Sequence, residues 1–161
     1  MILARTLQIG GALVILSTVL SLVHPWGNPR AYARADRPKL TGAVVPPEVR
    51  EVLETKCSDC HSESTHWPLY SNFAPASWLM EHDVSEAREH FNMSRWEEYG
   101  RESQVDLLTR IGAEVRSGEM PLKHYLLLHP GAKLTSEDRQ MIYEWTRAER
   151  KRVKSQISEQ K

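Results

Sequence analysis

Cys57-Ser58-Asp59-Cys60-His61 is a C-x-x-C-H run, and Cys57 and Cys60 are the only cysteines in the chain. Two thiols three residues apart, followed at once by an imidazole, form the attachment pattern for c-type haem. Each thiol can make a thioether to a vinyl group, and the histidine then lies under the iron as its proximal ligand. With both cysteines in one pentapeptide, none remains for a structural disulfide or a second haem. Two other readings fit less well. A redox dithiol is expected beside a βαβ pattern, which this sequence lacks. Zinc would need partners such as His61 and His66, without the dozen or more residues that separate Cys and His pairs in zinc fingers.

Upstream of the pentapeptide, Val49, Val52, Leu53 and Lys56 follow i, i+3, i+4, i+7 spacing, with Pro47 in the first turn. This predicts a short amphipathic helix ending at the cysteines. Downstream, residues 62–75 read as a loop carrying Pro68, Pro75, Trp67, Tyr70 and Phe73. A second helix is expected from Ser77 to Phe91, with Met80, Val84, Ala87 and Phe91 on its inner face. A third covers residues 103–117 with Val105, Leu108, Ile111, Gly112 and Val115, and Gly118 ends it. The last opens at Thr135, boxed with Asp138, and turns Met141, Ile142, Trp145 and Ala148 inward. No segment alternates as a strand and no repeat is present. The chain is expected to be all-α, with one haem-binding domain over residues 48–150 and a polar, fraying tail over residues 151–161.

The other end of the chain differs in kind. Arg5 precedes an apolar stretch from Leu7 to Val23, broken only by Gln8, Ser17, Thr18 and Ser21. Residues 1–27 are therefore expected to be a transmembrane anchor or a signal segment. The A-x-A at Ala31-Tyr32-Ala33 offers a cleavage site, but ten residues separate it from Val23, which favours retention. Arg30, Arg34, Arg37 and Lys39 follow the apolar run, against one arginine before it, and the positive-inside rule alone would invert the orientation. Residues 28–47 are punctuated by Pro29, Pro38, Pro46 and Pro47 and read as a semi-rigid linker holding the domain off the membrane surface.

The formal net charge is zero, with 21 basic and 21 acidic residues, so no global basic field points to nucleic acid. A bound iron needs a sixth ligand or a vacancy. Met120, in Gly118-Glu119-Met120-Pro121, lies off every helical stripe and is the best candidate; Met/His ligation suits an electron carrier. His82, His90, His124 and His129 are the competing donors. The second nitrogen of His61 should donate to a carbonyl, expected from loop 66–75. Trp67, Tyr70, Trp78, Trp96, Tyr125 and Trp145 are dense enough to wall a haem, and Arg88, Arg95 and Lys123 are candidate propionate partners.

The segments CSDCHSESTHWPLYSNFAPASWL (57–79), HDVSEAREHFNMSRW (82–96) and GEMPLKHYLLLHPGAKLTSEDRQMIYEW (118–145) together resemble the small membrane-anchored haem-binding domain family of bacterial c-type cytochromes, over roughly residues 28–148. The resemblance implies a cytochrome c-like helical domain around one covalent haem c, with Cys57 and Cys60 attaching it, His61 proximal and Met120 distal. Covalent attachment in such cytochromes follows export, which implies a periplasmic domain despite the charge bias. Ala87-Arg88 stands where the family has Gly-Arg, and Met93 where it has Phe.

The expected function is one-electron transfer by a monohaem cytochrome on the exported side of a bacterial membrane. Its partners would be redox proteins, foremost a membrane electron-transfer complex. No substrate pocket or catalytic dyad is legible, so a carrier is favoured over an enzyme. The alternative is a haem enzyme or sensor with a labile or open distal site, peroxidase-like or gas-binding.

Overall fold

The computed structural model describes residues 2–159; Met1 and residues 160 and 161 of the expected tail lie outside the described residues. The α-helices are α1 (Ile2–Leu20), α2 (Pro47–Lys56), α3 (Ser58–His61), α4 (Ala76–His90), α5 (Arg101–Ser117), α6 (Lys123–Leu128) and α7 (Ser136–Glu159), with short 3-10 turns between them. Among the described residues there is no strand, as the all-α expectation required.

The body of the domain is the pair α5 and α7. Leu107, Leu108 and Val115 from α5 meet Ile142, Trp145 and Val153 from α7 in one buried cluster. The two backbones approach closely at Gly112, where a Cβ would come within 2.6 Å of the Thr146 hydroxyl. α2 adds Val49, Val52 and Leu53 to the same core, and Phe91, Met93 and Trp96 close it beyond α4. Met93, where the resemblance expects Phe, fills this core at 1% exposure. The box at the start of α7 forms as expected. Thr135 N–H donates to Asp138 Oδ2 (2.8 Å), and Asp138 N–H donates to Thr135 Oγ1 (3.0 Å). α7 itself departs from expectation. It continues to Glu159 because Val153 is fully buried and Ile157 packs against the core, while Ala148 is exposed.

The expected linker is part of the fold. Leu40 is buried, and its N–H donates to Met93 O (2.8 Å). Trp145 Nε1 donates to Val44 O (2.9 Å), and Val44 N–H donates to the buried Glu149 carboxylate (3.2 Å). Residues 24–44 therefore form a strap laid over the domain. Periodicity could not show this, because the strap is held through its backbone and a few polar side chains.

α1 differs from the rest. Residues 4–16 are all exposed, and its end is bonded to the domain through Ser17 and Ser21. Among the described residues no helix is long and apolar enough to cross a membrane. The expected transmembrane helix is thus not found, and there is a physical reason. The helix stops at Leu20, so its apolar part from Leu7 rises only about 21 Å at 1.5 Å per residue, short of a hydrocarbon core of about 30 Å.

Candidate haem site

The pentapeptide is built as one continuous turn. Cys57 caps α2, with its N–H bonded to Leu53 O (3.1 Å), and His61 N–H bonds back to Cys57 O (3.0 Å). Ser58 Oγ and Ser62 Oγ each donate to the carbonyl four residues earlier, at 2.6 and 2.7 Å, which tightens the same turn. Both thiols and the imidazole consequently face one cleft, enclosing about 590 Å³ of space with its open mouth included. Val115, Leu122, Leu134 and Ala87 supply apolar wall, and Met120 lies on the cleft with Pro121.

Met120 reaches the cleft through a glycine. Gly118 ends α5 in the left-handed region (φ +82°), a conformation that a Cβ disfavours, and a Cβ there would meet the Arg139 guanidinium at 3.1 Å. Arg139 Nη1 donates to Val115 O (2.9 Å), so the exposed carbonyl at the end of α5 is satisfied by α7. The turn that follows brings the thioether within the cleft.

The state of His61 is set by one hydrogen bond. Its Nδ1 lies 3.0 Å from Phe91 O, and a carbonyl can only accept, so Nδ1 carries the proton and Nε2 keeps its lone pair. Burial pushes the imidazole below its ordinary pKa, against the opposing pull of the Phe91 and Ala87 carbonyls, which keeps it neutral. The partner is the chain just past α4 and not loop 66–75 as expected. Loop 66–75 meets the pentapeptide elsewhere, through His66 N–H donating to Asp59 Oδ1 (2.8 Å), and its Trp67 ring lies under the Arg30 guanidinium at 4.2 Å.

Burial pushes both thiols up to about 12, with Cys60 adding for Cys57 and the Asp83 and Asp59 carboxylates adding for Cys60. Protonated thiols in an apolar cleft are a poor dithiol couple, which needs a lowered thiol pKa. Among the described residues, no group of three or more His, Cys, Asp or Glu side chains is placed to hold a metal ion. A neutral imidazole with a free Nε2, a thioether, and two thiols on an apolar cleft do fit a haem.

Several expected contacts are not made. Of the six aromatic residues, only Tyr125 lines the cleft. Trp96 and Trp145 belong to the core, Trp78 Nε1 donates to Val23 O (2.8 Å), and Tyr70 hydroxyl bonds His129 Nε2 (3.0 Å). None of His82, His90, His124 and His129 lines the cleft. His124 Nε2 is instead paired with Asp83 at 2.7 Å, and His82 packs edge-on against Trp26. Arg95 pairs with Glu98. Arg88 is engaged in three directions: Nε donates to Ser62 O, Nη1 to Pro29 O and Nη2 to Thr65 Oγ1, all within 2.9 Å. It joins the strap to the segment directly after His61. Its neighbour Ala87, where the resemblance expects Gly, lines the cleft.

Three polar cleft residues escaped the sequence reading, Lys56, Asp59 and Asp83, and they lie beside the expected Tyr125. Lys56 Nζ is held by Asp138 (2.7 Å) and Lys133 O (3.2 Å). Tyr125 stacks on His129, ring centres 4.1 Å apart, and its hydroxyl points to Asp59 Oδ2 at 3.5 Å. Burial and the Asp59 charge push that phenol well above its ordinary pKa. Asp59 lies inside the pentapeptide, a signal available from the sequence; the others require the fold.

No curated protein and no solved structure matches the chain. A family model described as the haem-binding domain matches residues 15–148, which takes in the last turns of α1 and the whole strap as well as the cleft. The chain is accordingly a haem protein and belongs to the haem-binding domain family.

Proposed function

We propose that the protein is a monohaem c-type cytochrome that passes one electron at a time, attached to a membrane through α1 with its haem domain on the exported side. One observation carries the reading: Met120, far from the pentapeptide in sequence, lines the same cleft as Cys57, Cys60 and His61. A haem bound there supplies a one-electron iron couple with a His/Met ligand pair. Cys57 and Cys60 give it two covalent anchors on one helical turn. His61 offers Nε2 because Phe91 O holds the proton on Nδ1. Met120, on the same cleft, offers a soft donor, and Val115, Leu122 and Leu134 give that cleft apolar walls.

Two observations support retention at a membrane. α1 exposes Leu7, Ile9, Leu13, Val14, Ile15, Leu16 and Val19 on all sides, which suits immersion in lipid better than lying at its surface. Cleavage after Ala33 would also remove His24 from Glu81, whose carboxylate is 2% exposed and bonded to His24 Nδ1 at 2.9 Å. Leaving that buried carboxylate without this hydrogen bond costs about 1–3 kcal/mol. The basic run weighs little on orientation, since Arg30 and Arg37 are bonded within the fold. The partner we propose is a membrane electron-transfer complex.

A visible and near-infrared spectrum tests the reading. Covalent low-spin haem with a methionine-to-iron charge-transfer band is the expected result. High-spin iron that binds carbon monoxide readily would replace the carrier by a haem enzyme or gas sensor. Met120→Ala should keep the haem attached, open the sixth position and lower the potential; an unchanged six-coordinate spectrum would give that position to a histidine.

A further inference from the structure

α1 is docked to the haem domain at one place, and that place has a chemical character of its own. Ser17 Oγ donates to Ala74 O (2.6 Å), and Ala74 N–H donates to Ser21 Oγ (2.7 Å). One turn further along the chain, Trp78 Nε1 donates to Val23 O, and the Trp26 ring meets His82 edge-on at 5.4 Å. These bonds tie the end of α1 to the N-terminal end of α4. Around them, apolar side chains are left bare: Leu22 (77% exposed), Val23, Trp26, Phe73 and Leu79 (51%). Each is next to, or part of, a residue that makes one of these contacts.

We infer that this face of the haem domain lies against lipid, so that the domain sits flush on the bilayer. The inference deepens the anchoring reading and rests on it. With residues 7–16 of α1 immersed, the membrane boundary falls near Ser17, which is the residue bonded to Ala74. A domain attached there cannot stand off on a linker, because residues 24–44 are bonded along its surface. The bare residues then take the position of an interfacial belt, where tryptophan and other large apolar side chains are favoured. The occupant is lipid and not a protein groove-binder, since the patch is continuous with a helix whose apolar residues from Leu7 to Leu16 are exposed on all sides.

The haem cleft follows. Asp83 and Ala87 line it, and Leu79 on the same helix belongs to the bare face. At 1.5 Å per residue those positions lie about 6 and 12 Å from Leu79 along α4. Whatever the tilt of α4, that cleft wall stands no more than about 12 Å above the level of Leu79.

Hydroxyl-radical footprinting of the haem-loaded full chain in phosphatidylcholine–phosphatidylglycerol nanodiscs tests this, with labelling scaled to each residue's intrinsic reactivity. Val44, 62% exposed on the strap's far end, is the internal control. The expected result is several-fold protection of Trp26, Phe73 and Leu79 relative to Val44, alongside protection of Leu13 to Leu16. Protection of Leu13 to Leu16 with Trp26, Phe73 and Leu79 labelled like Val44 would overturn the flush arrangement and leave the anchor standing. Full labelling of α1 would overturn the anchor itself.

Discussion

Between α5 and α7 the contacts are apolar and regular: Leu108, Val115, Ile142 and Val153 interdigitate, and Gly112 lets the backbones close. The strap and the segment after His61 meet quite differently. There Arg88 holds Pro29 O and Ser62 O, Arg34 N–H donates to Glu63 Oε2 (3.2 Å), Ser64 Oγ donates to Ala35 O (3.0 Å), and Asn92 Nδ2 reaches Glu63 Oε1 (3.3 Å). Apolar packing tolerates approximate fits and sums many weak contacts. Side-chain bonds to backbone oxygens fix positions and leave costly orphans when broken. The first region supplies stability, and the second places the segment around His61, the proposed haem ligand.

The sharpest way to break this division is at the ligand. His61→Ala is expected to abolish stable haem incorporation; a normal spectrum in the purified variant would remove His61 from the proximal place. Next in size, Ile142→Ala empties part of the α5–α7 core and should cost about 2–5 kcal/mol in denaturant unfolding. Below its melting temperature its haem spectrum should match wild type. Arg88→Ala should cost less, about 2–3 kcal/mol for the carbonyls left unpaired. Unlike Ile142→Ala, it should shift the haem spectrum and potential through His61. Arg88→Lys should not restore them, because one ammonium cannot serve the three-way fork. If both arginine variants keep a wild-type potential, the strap is structural only.

The smallest effect tests the joint between the two regions. Burial pushes the Asp138 carboxyl up, but Lys56 and the Thr135 donors outweigh it, and the group titrates below the usual carboxylate range. A depressed folded value means that its stabilisation is present at neutral pH. It is lost as pH falls from about 3.9, the unfolded value, through the folded one. Asp138→Asn should therefore cost about 1 kcal/mol at pH 7 and flatten the acid limb of the stability curve.

What could be read from the sequence divides along the same line. The stripes Val49–Leu53, Leu108–Val115 and Ile142–Trp145 are periodic, so the core was legible, as was the Thr135–Asp138 box. The pentapeptide and Met120 were legible because a covalent motif and a Gly/Pro turn stand out against helical spacing. The strap was not. Its prolines read as a tether, while its docking rests on carbonyls, whose presence at every residue makes them silent in sequence. The carbonyl that orients His61 escaped for the same reason. The length of α7 escaped because Val153 and Ile157 are two apolar residues in a run of charges.

The strap also changes how encounters are counted. A cytochrome on a free tether searches a hemisphere, and its productive collisions depend on how long the leash is. With residues 24–44 fastened down and α1 gripped at Ser17, rotation of the haem domain is rotation of α1. On the membrane attachment proposed above, tumbling would drop out, and meeting a partner would become a matter of lateral drift and of which way the cleft already faces.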